Sequence, residues 1–286
     1  MKRVIARLDI KGPNVVKGIH LEGLRVVGSP ATLARRYYEE GADELFYQDV
    51  VASLFGRSNL LHIVTATAEA GIFIPITVGG GLRTIADIEA ALRAGADKVA
   101  INTAAVANPG FISEAARRFG SSTIVVAIEA IKDGDDYFAY TDNGRETTGL
   151  EVVSWAREAE SRGAGEIVIT SVDREGTGQG FDLELTRAIA DVVNVPVIAH
   201  GGAGTTDHIV RVLRDTAAEG AAVASVLHYA ARTHETARDT LDASESGNRA
   251  FLHTGVRFKE FGDVHLPDIK RSLTQAGVDT REAFAA

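Results

Sequence analysis

The sequence predicts an α/β fold of the (β/α)8 (TIM) barrel type, a parallel barrel built from two homologous half-barrels. Three observations predict it. Short, β-branched apolar runs alternate with amphipathic helical windows along most of the chain. A strand and glycine turn, Ile74-Pro75-Ile76-Thr77-Val78-Gly79-Gly80-Gly81, returns as Val195-Pro196-Val197-Ile198-Ala199-His200-Gly201-Gly202-Ala203-Gly204. Further segments repeat at a common offset of about 120 positions.

In chain order the predicted strands are Val4–Asp9, Glu44–Asp49, Ile74–Val78, Lys98–Asn102, Thr123–Glu129, Glu166–Ser171, Val195–Ala199 and Ala221–Ser225. The predicted helices are Pro30–Gly41, Ser58–Ala70, Thr84–Ala94, Asn108–Phe119, Leu150–Arg162, Leu183–Val193 and Thr205–Glu219. Glycine closes several of them, as at Gly41, Gly95, Gly120 and Gly163, where a helix end favours a left-handed residue. The strands are almost continuously apolar, which predicts cover on both faces. Strand pattern alone also permits an open doubly wound sheet. The repeat selects the barrel: Tyr38–Leu45 aligns with Glu160–Ile167, and Ile5–Lys11 with Val125–Lys132. Two open halves, about 1–120 and 121–286, would each leave sheet edges uncovered, and joining them removes those edges. The whole chain, 1–286, then reads as one domain. After Ser225 the rhythm breaks. A polar stretch from Ala230 to about Gly262 reads as an insertion before a last helix near Leu266–Ala276.

At 286 residues, 45% hydrophobic and 24% charged, the chain can bury a sizeable core. No apolar run approaches the roughly 20 residues of a membrane span, and Met1–Arg7 opens no signal-peptide core, so a cytoplasmic protein is expected. With no cysteine there is no disulfide, thiolate nucleophile or thiolate metal site. A net charge of −9 argues against non-specific nucleic-acid binding but permits a local basic pocket.

Barrels of this kind carry their chemistry at the C-terminal strand ends. Asp9 closes the first strand and Glu129 the fifth, on opposite sides of an eight-strand ring. Two carboxyls across a mouth divide acid and base roles if their pKa values are pushed apart. The same carboxylates would equally serve as loop caps or partners of Lys17 and Lys132. Gly80 and Gly81 lie beside Asn102-Thr103, and Gly202 and Gly204 beside Ala224-Ser225. Glycine turns offer backbone N–H groups to phosphate, or are simply tight loops. Two related turns suit a substrate with a phosphate at each end. Gly176 and Thr177, after the sixth strand, can join the second turn. At the opposite end Arg3, Glu44, Lys98 and Glu166 form a candidate charged floor, either a stability layer or a gate for a small polar molecule. His200 precedes the second glycine turn and reads as a pocket-wall residue facing the mouth; neither it nor His228, His234, His253 and His265 has metal-ligand spacing. No metal or cofactor is implied.

Arg-Leu-Asp-Ile-Lys, Thr-Val-Gly-Gly-Gly, Gly-Ala-Asp-Lys-Val-Ala-Ile-Asn-Thr, Thr-Ser-Val-Asp-Arg-Glu-Gly-Thr and Gly-Gly-Ala-Gly resemble the cyclase subunit of imidazole glycerol phosphate synthase, from Arg3 to about Tyr229. The resemblance implies ammonia delivered through the barrel by a class I glutaminase on the N-terminal face. It implies a bisphosphorylated formimino-ribulosyl aminoimidazole nucleotide as acceptor. It assigns catalysis to Asp9 and Glu129, and substrate contacts to Lys17, Gly80, Gly81, Asn102, Thr103, Thr170, Gly176, Gly202, Ala224 and Ser225. It assigns the ammonia gate to Arg3, Glu44, Lys98 and Glu166, with Asp97 facing the glutaminase.

The chain departs from that pattern at the mouth or the strand-one wall, with Glu175 and the polar insertion as departures elsewhere. Glu129 and Glu175 stand where aspartates are expected, His200 replaces a serine and Arg7 a small residue. Two further readings stand beside this one, the first suggested by the departures. One is a paralogue that channels ammonia for amidating surface-polysaccharide sugars. The other is a non-catalytic phosphometabolite-binding activator of a glutaminase.

Overall fold

The computed structural model describes residues 1–52, 60–234, 261 and 263–281. Its first strand, β1 (Arg3–Lys11), runs into a hairpin of β2 (Asn14–Ile19) and β3 (Glu22–Gly28). Helix α1 (Pro30–Glu39), β4 (Glu44–Asp49), α2 (Leu60–Glu69), β5 (Ile76–Gly79), α3 (Ile85–Arg93) and β6 (Lys98–Ile101) follow. Helices α4 (Thr103–Ala107) and α5 (Gly110–Phe119) complete the first half. The second half repeats the plan: β7 (Ile124–Asp133) runs into a hairpin of β8 (Asp136–Thr141) and β9 (Glu146–Glu151). Then come α6 (Val152–Ser161), β10 (Glu166–Ser171), α7 (Leu183–Ala190), β11 (Val197–His200), α8 (Thr206–Asp215), β12 (Gly220–Val223), α9 (Ser225–His234) and α10 (Leu266–Gln275).

Strands β1, β4, β5, β6, β7, β10, β11 and β12 pair in that order, all parallel, and β12 pairs back onto β1. The predicted barrel is therefore closed, and β1 and β7 stand opposite each other. Helix starts follow their sequence signals. Thr84 and Asp87 form a reciprocal capping box, and Glu151, Asp182 and Thr205 cap α6, α7 and α8.

Strand alternation sorts the core. On β1, Val4, Ala6, Leu8 and Ile10 pack outward under the helices. Ile5 instead joins Phe46, Ala100, Val125, Val168, Ile198 and Ala222 in a separate apolar layer within the barrel. The remaining inward positions of β1, Arg3, Arg7 and Asp9, are charged. The lumen is thus apolar at its waist and charged at both ends.

Three expectations need correction. Asp9 and Glu129 are not strand ends, because β1 and β7 continue into hairpins. Asn102, Ala224 and Ser225 lie beyond their strands, and Thr103 and Ser225 begin helices α4 and α9. Residues from Ala230 to His234 are helical rather than the start of an insertion. Positions 235–260 and 262 of the expected insertion lie outside the described residues. Among the described residues, no helix is long and apolar enough to cross a membrane.

Candidate active site

Asp9 sits in the lumen mouth and is almost fully buried. Arg7, two positions earlier on the same strand face, donates from Nε to Asp9 Oδ1 at 2.9 Å. Lys17 of β2 donates from Nζ to Asp9 Oδ2 at 2.6 Å. The same ammonium pairs with Glu175, in the loop after β10. Lys17 and Glu175 are both buried, so the cluster holds two cations and two anions away from water. Burial disfavours the Asp9 carboxylate, but the Lys17 ammonium and then the Arg7 guanidinium outweigh it and hold the carboxyl well below the usual range. Lys17 is raised for the reciprocal reason: Asp9 and Glu175 outweigh its own burial.

Glu129 faces Asp9 from β7 and differs in environment. Its partner is the backbone N–H of Gly144, at 2.8 Å, in the β8–β9 turn. Loss of hydration pushes its carboxyl up to about 7, against a smaller opposing pull from Arg7. The two carboxyls therefore have opposed proton affinities, the arrangement that divides acid and base roles.

Each half-barrel hairpin clasps its own carboxyl, β2 through Lys17 and the β8–β9 turn through Gly144. The tips meet over the mouth, where Asn143 Nδ2 donates to the Leu21 carbonyl at 3.0 Å. Leu21 N and His20 N bond Glu175, fixing the first hairpin over the loop after β10.

The two glycine turns now differ. Gly80 and Gly81 line a cavity of about 370 Å3 together with Asn102, Thr103 and Glu129. Gly176, Gly202, Ala224 and Ser225 line a cleft of about 10 Å3 with Lys17, Glu175 and His200. The first hairpin lies on this second turn: a Cβ at Gly176 would fall 2.4 Å from the Gly18 carbonyl oxygen. Both groupings read from the sequence are thus brought together, one open and one closed. Gly204 packs against Gly178 instead of lining that cleft. Thr170 reaches His200 rather than either turn, with Oγ1 at 3.1 Å from Nδ1.

At the N-terminal end the four charged residues meet. Arg3 bonds Glu44 at 2.5 Å and Glu166 at 2.8 Å. Lys98 lies 3.2 Å from both carboxylates. Asp97 accepts from the Ile76 backbone N–H at 2.8 Å at the same end of the barrel. Lys132 binds Glu184 rather than Glu129.

Sequence reasoning took His200 for a pocket-wall residue facing the mouth, found Arg7 only as a departure, and paired neither with the other. The structure places both inside the lumen, with Arg7 Nη1 3.2 Å from His200 Nδ1. Their separation of 193 positions hides the pairing. The available signal was positional: Arg7 shares the inward phase of Arg3, Ile5 and Asp9. His228 is buried elsewhere and bonds Tyr37 at 2.6 Å.

A family model described as histidine biosynthesis protein matches residues 3–233. The imidazole glycerol phosphate synthase subunit HisF of Legionella pneumophila is 61% identical over 203 residues, covering 71% of this chain and 95% of that protein. The subunit of the same name from Myxococcus xanthus (strain DK1622) is 52% identical over 227 residues, covering 79% of this chain and 89% of that protein. With its closed barrel and matching span, the chain belongs to the histidine biosynthesis protein family, in the company of these HisF subunits.

Proposed function

We propose that the chain is the cyclase subunit of an imidazole glycerol phosphate synthase, working in the cytoplasm in histidine biosynthesis. A HisH-like class I glutaminase docks on the N-terminal barrel face and supplies ammonia. The ammonia passes the quartet of Arg3, Glu44, Lys98 and Glu166 by exchange of ion-pair partners. At the mouth it adds to a bisphosphorylated formimino-ribulosyl aminoimidazole carboxamide nucleotide. The products are imidazole glycerol phosphate, aminoimidazole carboxamide ribotide and one water.

One observation carries this reading: two carboxyls of opposed proton affinity face each other across one barrel mouth, beside paired glycine turns. Asp9 stays ionised and stabilises positive charge that develops as nitrogen adds. Glu129, poised near neutrality, takes the proton released from that nitrogen and returns it to the departing group. The glycine turns and Lys17 hold the two phosphates.

The test is turnover of the bisphosphorylated nucleotide with free ammonium. Wild type should be active, and Asp9→Asn should lose about two orders of magnitude or more. An inactive wild type would overturn the reading. The amidation of surface-polysaccharide sugars would then take its place, since Arg7 and His200 alter the mouth while the quartet is complete.

A further inference from the structure

The polar upper lumen contains a connected pair that no step above uses. Arg7 is 4% exposed and touches three strands. It bonds Asp9 on β1, lies over the Phe46 ring of β4 at 5.4 Å, and meets His200 of β11 at 3.2 Å. Such a cation is costly inside a barrel unless its partners are fixed.

The pairing decides the state of the ring. A guanidinium only donates, so His200 Nδ1 accepts from Arg7 and carries no proton. Thr170 Oγ1, at 3.1 Å, donates to the same nitrogen. A neutral ring then carries its hydrogen on Nε2. Burial, Arg7 and Lys17 all keep the ring neutral, lowering its pKa well below the ordinary value, with only Asp9 opposing. His200 is itself 4% exposed, and Nε2 has no partner among the described residues. The ring lines the second glycine cleft with Gly176, Gly202 and Ser225, a cleft of about 10 Å3 that widens for an oxyanion only as the first hairpin moves off Gly176.

We infer that His200 is a substrate-binding donor of this chain, presenting Nε2–H to an oxyanion at the second glycine turn, and that Arg7 is the positioning residue that fixes its tautomer. The inference deepens the proposed function, on which the phosphate identity of the oxyanion rests. It gives the second cradle an imidazole donor, a group absent from the lining of the first. A side-chain N–H supplements the backbone N–H groups in the second cradle. The same guanidinium that holds Asp9 also sets this donor, so anion binding and the catalytic carboxylate share one support.

The charged groups around the ring are Arg7 and Asp9 on β1, Lys17 on β2 and Glu175 after β10. The experiment reads the ring directly and needs no turnover. Two-bond 1H–15N correlation spectra of the full chain, labelled at histidine, report the protonation of each ring nitrogen. His200 is assigned by loss of its signal in His200→Gln. In wild type His200 should be neutral and protonated at Nε2 throughout the pH range in which the protein is folded. Inorganic phosphate should shift the Nε2–H resonance. In Arg7→Met the ring should become a tautomer mixture and titrate closer to an ordinary histidine. Arg7→Leu, which also removes the donor, provides a second variant should Arg7→Met not fold. A wild-type ring protonated at Nδ1, a resonance unmoved by phosphate, or an unchanged ring in the folded Arg7 variant would overturn the inference. A dead cyclase with the expected ring signals would overturn only the proposed reaction.

Discussion

Lys17 Nζ lies 2.6 Å from Asp9 Oδ2 and pairs on its other side with Glu175, so one buried ammonium ties the first hairpin to both the barrel and the loop after β10. Removing that cation leaves two buried carboxylates with Arg7 alone to balance them. Lys17→Met is therefore expected to lower unfolding free energy by about 3–5 kcal/mol, the usual result of stripping one partner from a buried pair. The loss should be larger at high pH than at low pH, because protonating an orphaned carboxylate relieves it. Denaturant titrations of wild type and variant at several pH values check both statements.

Glu129 predicts a pH signature of opposite sign to that of a salt-bridged acid. Its folded pKa, about 7, lies above the ordinary 4.5, so the folded state binds the proton more tightly than the unfolded chain. The stabilising contribution of the protonated form is complete below the unfolded value and is lost as pH rises toward 7. The full shift would correspond to about 3 kcal/mol, and the side chain's open face toward the cavity reduces this to about 1–2 kcal/mol. Glu129→Gln keeps an acceptor for Gly144 N–H, removes the titration and should be more stable than wild type at pH 8 but not at pH 5. Thermal melts across this range measure the crossover. In the wild-type enzyme, kcat/KM should show an inflection near pH 7 that Glu129→Gln abolishes.

The barrel was legible because its cause is local and repeated. Alternating residues such as Val4, Ile5, Ala6 and Arg7 carry the two-sided strand pattern, and glycine marks the turns. The charged floor was legible for the same reason, since Arg3, Glu44, Lys98 and Glu166 share a strand level and an inward phase. The hairpins were not legible. β3 and β9 mix polar residues and glycine with few apolar ones and are partly exposed, so they bury too little apolar surface to impose a period. With the hairpins went the clasping of Asp9 and Glu129, which depends on where Lys17 and Gly144 arrive in space. The tautomer of His200 was hidden for a related reason: it is set by Arg7, whose contact exists only once the barrel closes. The end of helix α9, from Ala230, was misread because Arg232, Thr233 and His234 run into a polar stretch of sequence.

The quartet at the floor makes a coupling prediction. Lys98 is 17% exposed at its side chain and shares both Glu44 and Glu166 with Arg3. Lys98→Met alone should cost about 2 kcal/mol, because two nearly buried carboxylates are left with one cation. Adding Glu44→Gln should return part of that loss, giving a coupling energy of about 1–2 kcal/mol in a double-mutant cycle. Strictly additive effects would indicate that the four charges act separately and would remove the physical basis for partner exchange at this level.

The second glycine turn gives a test that separates backbone conformation from close packing. Gly202 has φ +101°, and a Cβ there would meet the Gly180 carbonyl oxygen at 2.1 Å. Gly180 N also donates to Gly202 O at 2.7 Å, so the loop cannot retreat without breaking that bond. Gly134, in the β7–β8 turn, has φ +63° but open space around a Cβ. Both substitutions to alanine incur left-handed strain of about 1–2 kcal/mol. Only Gly202→Ala adds a steric clash and a threatened hydrogen bond, so it should cost about 3 kcal/mol or more, against about 1 kcal/mol for Gly134→Ala. The pair also separates binding from stability. Gly202→Ala should weaken inorganic phosphate binding at the second cleft, measured by calorimetry on folded protein, whereas Gly134→Ala should leave it unchanged. Equal stability losses would show that the Gly180 contact yields freely, and the second turn would then be no tighter than an ordinary βα loop.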